Sequence, residues 1–177
     1  MTRWLQVSIA VIFALGLGFA AGAARADDPA FISFGVGAYD FNKRREEGAE
    51  FRLEYRSDYK VPYVQFKPFA AVAGTTTSQY FFSAGVLWDL FFGDRIVVTP
   101  SFAPGYYTGG DRDDGGLDLD HPFEFRSQLE VAYRFDNRSR LGLAISHYSN
   151  ASLGDKNPGT ETAMVYYSLP ITTFIGD

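Results

Sequence analysis

Apolar and polar residues alternate along most of this chain with a period of two, as side chains do on the two faces of a β-strand. Phe51, Leu53 and Tyr55 interleave with Glu50, Arg52, Glu54 and Arg56. Phe123, Phe125, Leu129, Val131, Tyr133 and Phe135 interleave with Glu124, Arg126, Gln128, Glu130 and Arg134. Tyr80, Phe82, Ala84, Val86, Trp88, Leu90 and Phe92 form one apolar face of a third segment. The pattern predicts eight strands: Phe31–Asp40, Ala49–Arg56, Tyr63–Gly74, Gln79–Phe92, Arg95–Tyr107, Pro122–Phe135, Ser139–Ser149 and Glu161–Thr173. No segment of the expected fold has helical periodicity.

Alternation fits a water-soluble barrel or sandwich as well as a membrane barrel. Three features favour the membrane. Several strands are long enough to cross a bilayer at a tilt, against the usual five or six residues. The polar faces carry ionic sets, Glu50/Arg52/Glu54/Arg56 and Glu124/Arg126/Glu130/Arg134, suited to pairing inside a narrow barrel. The connections also alternate in length. Turns on the N-terminal side are short (Ser57–Pro62, Gly93–Asp94, Asp136–Arg138). Those on the other side include Phe41–Gly48, Thr108–His121 and Asn150–Thr160, with Thr75–Ser78 the short exception. Short periplasmic turns and longer outer loops mark outer-membrane barrels. The expected fold is all-β: an eight-stranded antiparallel up-and-down transmembrane β-barrel.

Composition sharpens this picture. Arg3, a largely apolar run from Val7 to Ala20 and Ala24-Arg25-Ala26 read as a secretory signal peptide over residues 1–26. The run is too short for a spanning helix. The mature barrel domain is then 27–177. Removing Arg3 and Arg25 from 16 basic residues leaves 14 against 21 acidic ones, a net charge of −7. That balance argues against nucleic acid as a partner. The chain has no cysteine, which excludes disulfides and thiol chemistry. Its 17 Phe and 11 Tyr would supply the aromatic girdles of a membrane barrel.

Candidate chemistry sits near the C-terminus. His147 and Ser149 share a strand face with Leu141, Leu143 and Ile145. Glu161, on the next strand, is in phase with Ala163, Val165, Tyr167 and Leu169. All three polar residues are therefore expected to face outer-leaflet lipid, where polar groups are costly and need a reason. Ser149 as nucleophile, His147 as base and Glu161 as its orienting carboxylate satisfy triad logic. Asn150 and Asn157 are oxyanion candidates, with the backbone N–H groups of the Ala151–Gly154 turn. The alternative is that the three are rim residues at headgroup level.

The run His147-Tyr148-Ser149-Asn150-Ala151, followed by Asn157-Pro158-Gly159-Thr160-Glu161, resembles the active-site hairpin of the lipid A 3-O-deacylase (PagL) family of outer-membrane barrels. The distinctive residues are confined to about Ser146–Glu161. The resemblance implies an esterase removing the 3-position acyl chain of lipid A in the outer leaflet, with His147, Ser149 and Glu161 as triad. It also implies an oxyanion role for Asn150, and neither metal nor cofactor. The chain departs from the usual barrel ending, because Phe174 is followed by Ile175-Gly176-Asp177.

Weaker features remain. Asp111, Asp113, Asp114, Asp118 and Asp120 crowd one outer loop beside His121, with no calcium-loop spacing. Lys43, Arg44 and Arg45 are candidates for lipid-phosphate contact, or for a solvated cluster with Glu46 and Glu47. Two further readings stay open: a non-enzymatic structural barrel, and another lipid enzyme such as an acyltransferase or phospholipase. Whether the barrel forms a homodimer is also open.

Overall fold

The computed structural model describes residues 28–109 and 119–172. The expected signal peptide, the acidic residues from Asp111 to Asp118 and the chain end at Phe174–Asp177 lie outside the described residues. The strands are β1 (Phe31–Tyr39), β2 (Gly48–Arg56), β3 (Lys67–Thr75), β4 (Tyr80–Leu87), β5 (Leu90–Phe92), β6 (Ile96–Thr108), β7 (Phe123–Arg134), β8 (Arg140–Ser149) and β9 (Thr160–Pro170). Each pairs antiparallel with its neighbours, and β1–β9 and β4–β6 pairing closes the sheet. Since β4 and β5 both pair with β6 in one continuous register, they are two parts of a single spanning strand. The result is an eight-stranded barrel. Closure leaves no sheet edge unpaired in hydrocarbon.

Two expected strands differ most, and the others shift at an end by one to three residues. The third strand starts at Lys67 rather than Tyr63, because Tyr63 and Gln65 take positive φ (69° and 60°) in a hydrogen-bonded turn. The fourth is interrupted at Trp88–Asp89. Trp88 N–H donates to Pro100 O (3.0 Å). Pro100 has no N–H to return, so the ladder lapses there.

Alternation sorts the side chains as expected. Phe51, Leu53, Tyr55, Leu129, Val131, Leu141 and Leu143 face outward and are exposed, while Glu50, Arg52, Glu54, Arg56, Arg126 and Glu130 are buried in the lumen. The interior is a cross-braced polar core. Arg52 donates to Glu50 (Nε to Oε1, 2.9 Å), Gln128 (2.7 Å) and the Tyr166 and Tyr148 hydroxyls (2.5 Å each). Arg56 reaches Glu54 and, across the barrel, Glu130 (2.7 Å), and Arg126 reaches Glu54 (2.8 Å). Buried charges survive only when paired and bonded in this way. The second expected ionic set divides. Arg134 turns to Asp28 at the N-terminal rim (2.8 Å), and among the described residues neither oxygen of buried Glu124 is hydrogen-bonded. That rim is closed by Arg140, which bonds Asp28 (2.5 Å) and Asp89 (2.9 Å). Towards the other end Tyr39, Phe81, Tyr107 and Tyr148 fill the lumen.

Candidate active site

The site lies on the outer wall at the far end of β8 and β9. Antiparallel register sets His147 directly opposite Glu161. Their side chains leave the same face of the sheet and meet, with His147 Nδ1 3.0 Å from Glu161 Oε1. A carboxylate only accepts, so Nδ1 carries the proton and Nε2 is left with a free lone pair. Below the pair, Ile145, Leu143 and Val165 are exposed on the wall. The imidazole is 41% exposed and the Glu161 side chain 19%. A polar pair is thus embedded at the top of a lipid-facing stripe.

Ser149 follows on the same face, half-buried, opposite Phe125 of β7. Phe125 stacks on Phe102 (5.7 Å) and meets Phe123 edge-on (5.2 Å). The site therefore has an aromatic flank on the β7 side and a carboxylate on the β9 side. No hydrogen bond joins Ser149 to His147 among the described residues. A distance of two residues along a strand, roughly 6–7 Å at Cα, separates them. Catalytic hydrogen bonds are often long before substrate binds.

Asn150 and Asn157 differ sharply. Asn150 is fully buried. Its amide donates to Leu119 O (3.1 Å) and Lys156 O (2.7 Å), and its Oδ1 accepts from Ser152 N–H (2.8 Å). Both amide hydrogens are thus engaged in shaping the loop after Ser149. Ala151 and Ser152 hold positive φ (52° and 66°) in that loop. Asn157 is exposed on the same loop.

The loop between β1 and β2 supplies partners that sequence reading did not connect to the site. Lys43 Nζ donates to Pro158 O (2.7 Å) and Gly159 O (3.1 Å), and stands 3.7 Å from Glu161 Oε1. Arg45 also donates to Gly159 O and pairs with Asp40. Asp40 accepts from the Arg45 and Glu46 amides and from the Thr160 hydroxyl (2.7 Å). Burial opposes ionisation of Asp40, but the bonds from Glu46, Thr160 and Arg45 outweigh it and hold its carboxyl below the usual range. This latch fixes the chain just ahead of Glu161. Gly159 sits in the latch at φ 54°, and a Cβ there would come within 3.1 Å of His147 Cε1. The cationic run was visible in the sequence, but its partners lie more than 110 residues away. Arg44 takes the bland role, pairing with Glu47 (3.2 Å).

Among the described residues no cluster of three or more His, Asp or Glu is arranged to hold a metal ion. Asp120, the described member of the acidic loop beside His121, accepts from Lys156 N–H (2.7 Å).

Comparison with known proteins adds the family. The family model described as "Lipid A 3-O-deacylase (PagL)" matches residues 49–170. The crystal structure of the outer membrane enzyme PagL is similar at a TM-score of 0.63 with 22% identity, covering 80% of this chain and 99% of that one. The Yersinia pestis outer membrane protein Ail, in a phospholipid bilayer nanodisc, gives a TM-score of 0.44 at 12% identity, with 79% and 99% covered. No curated protein matches the chain. Family and fold together locate the barrel in the bacterial outer membrane. The chain belongs to the lipid A 3-O-deacylase (PagL) family.

Proposed function

We propose that this barrel hydrolyses the ester that holds the 3-O-linked acyl chain of lipid A, with Ser149 as nucleophile, His147 as general base and Glu161 as orienting group. The observation that carries the reading is the His147 Nδ1 to Glu161 Oε1 bond of 3.0 Å on the lipid-facing wall. It leaves Nε2 as the basic nitrogen.

Ser149 Oγ attacks the acyl carbonyl and passes its proton to His147 Nε2. Glu161 stabilises the imidazolium that forms. The tetrahedral intermediate collapses, and the sugar hydroxyl leaves with the proton from His147. Water then attacks the acyl-enzyme, His147 takes its proton, and the free fatty acid departs as Ser149 is restored. Asn150 serves the oxyanion by holding the turn, and the Ala151 N–H in that turn is a candidate donor. Asn157 is the second candidate. The acyl chain stays beside Leu143, Ile145 and Val165 while its ester reacts at headgroup level. Withdrawing it into water would cost roughly 0.8 kcal/mol per CH₂. A lumen-based acyltransferase fits less well, because ion pairs and tyrosines occupy the interior.

Mass spectrometry of lipid A from cells with and without the protein tests the reading. The expected product lacks the acyl chain at the 3-position. Unchanged lipid A alongside a correctly inserted barrel would overturn it.

A further inference from the structure

The end of the barrel away from the site carries a second unusual surface. Ten residues, 57–66, join β2 to β3, against three between β5 and β6 and five between β7 and β8. This longer turn exposes large apolar and aromatic side chains beside Asp58 and Gln65, where water would be its surroundings. Tyr63 is 100% exposed, and Tyr59, Val64 and Phe66 are exposed with it.

The display is built rather than loose. Val61 N–H donates to Phe66 O (2.8 Å), Gln65 N–H to Val61 O (2.9 Å) and Val64 N–H to Pro62 O (2.9 Å). Tyr63 and Gln65 hold positive φ, a conformation that non-glycine residues rarely adopt. A strained turn that presents a tyrosine to solvent gains nothing from water alone.

The patch is continuous with the lipid-facing wall. Lys67 points into the lumen to Asp89 (3.2 Å), which leaves Phe66 on the outward phase. Phe66 meets Trp88 edge-on at 5.9 Å. Tyr55 and Val86, next up the wall, are exposed as well. Tyrosine and tryptophan favour the headgroup boundary, where ring and hydroxyl are both satisfied. We propose that the turn at 57–66 is a membrane anchor that lies in the headgroup boundary of the inner, phospholipid leaflet, with Tyr63 and Val64 inserted. It extends the barrel's lipid contact past the end of its strands.

The chain has no cysteine, so a single introduced one gives a unique label. Tyr63→Cys and Val64→Cys are made separately, spin-labelled and reconstituted in phosphatidylethanolamine–phosphatidylglycerol vesicles. Power saturation then compares access of oxygen with access of a water-soluble nickel chelate. Leu143→Cys on the exposed wall and Asp136→Cys in the β7–β8 turn set the lipid and water limits. The proposal expects both labels to shift from the Asp136 value toward the Leu143 value. It also expects Tyr63→Asp to return the Val64 label toward water. Nickel access equal to that at Asp136 would overturn the proposal. So would low access to both reagents, which would mean a protein partner or a second copy covers the turn. Val64→Cys retains Tyr63, so the test stands even where Tyr63→Cys fails to insert.

Discussion

The lumen and the outer wall use the same kinds of polar residue to opposite ends. Inside, Arg52, Glu54, Arg56, Arg126 and Glu130 are buried and tied to one another across the barrel. Their charges are spent on structure. On the wall, His147, Ser149 and Glu161 interrupt a greasy face, and the imidazole is left with one bonded nitrogen and one unbonded. A charge that is satisfied marks architecture. A partly exposed polar pair set into an apolar wall marks candidate chemistry.

The largest test of that contrast is Ser149→Ala. It should lower deacylation by at least about 10³-fold, as loss of a triad nucleophile does. Thermal unfolding in detergent should be unchanged, because a half-buried hydroxyl on the rim contributes little packing. Retained activity would show that Ser149 is a bystander. The converse belongs to the lumen. Glu54→Leu leaves Arg56 and Arg126 short of a buried partner and should destabilise the barrel by about 3–5 kcal/mol. Heat modifiability on gels reads the loss, while the folded fraction keeps its specific activity.

Smaller effects sharpen the boundary between the two regions. Glu161→Ala should be roughly ten- to a hundredfold milder than Ser149→Ala, since an orienting carboxylate matters less than the nucleophile. Equal losses would make Glu161 more than an orienter. Lys43→Met removes donors to Pro158, Gly159 and Glu161 and should cost about 1 kcal/mol, roughly fivefold in kcat. Lys43→Arg should recover most of it.

The smallest effect concerns pH. The Asp40 carboxyl is held below its ordinary range, so its stabilising contribution is present above the unfolded value and is lost as pH falls through the folded one. The difference in unfolding free energy between the native chain and Asp40→Asn, on the order of 1 kcal/mol at neutral pH, should therefore close on acidification, read as converging melting temperatures. A gap that widens in acid would reverse the sign of the shift.

Much of this contrast was legible from alternation. Period two assigns each residue to lumen or lipid once the strand is fixed, so Arg52 and Leu53 declared their sides without a structure. The same phase put His147, Ser149 and Glu161 outward, and the short hairpin made their neighbourhood a local matter. Legibility failed where the cause lay elsewhere in the chain. The interruption at Trp88–Asp89 comes from Pro100 on the facing strand. Tyr63 to Phe66 reads as the start of a strand, yet the positive φ of Tyr63 and Gln65 folds it into the turn. Lys43 and Arg45 read as an ordinary charge cluster because Gly159 and Glu161, their partners, are remote in sequence. Glu124 shows the limit of reading pairs from spacing: it shares a strand with Arg126, yet among the described residues its carboxyl has no hydrogen-bond partner.

The braced interior has a bearing on permeability. Arg140, Asp28 and Asp89 close one end, and Tyr39, Phe81, Tyr107 and Tyr148 crowd the other. Among the described residues these side chains take up the space that a wider barrel would leave as a water-filled channel.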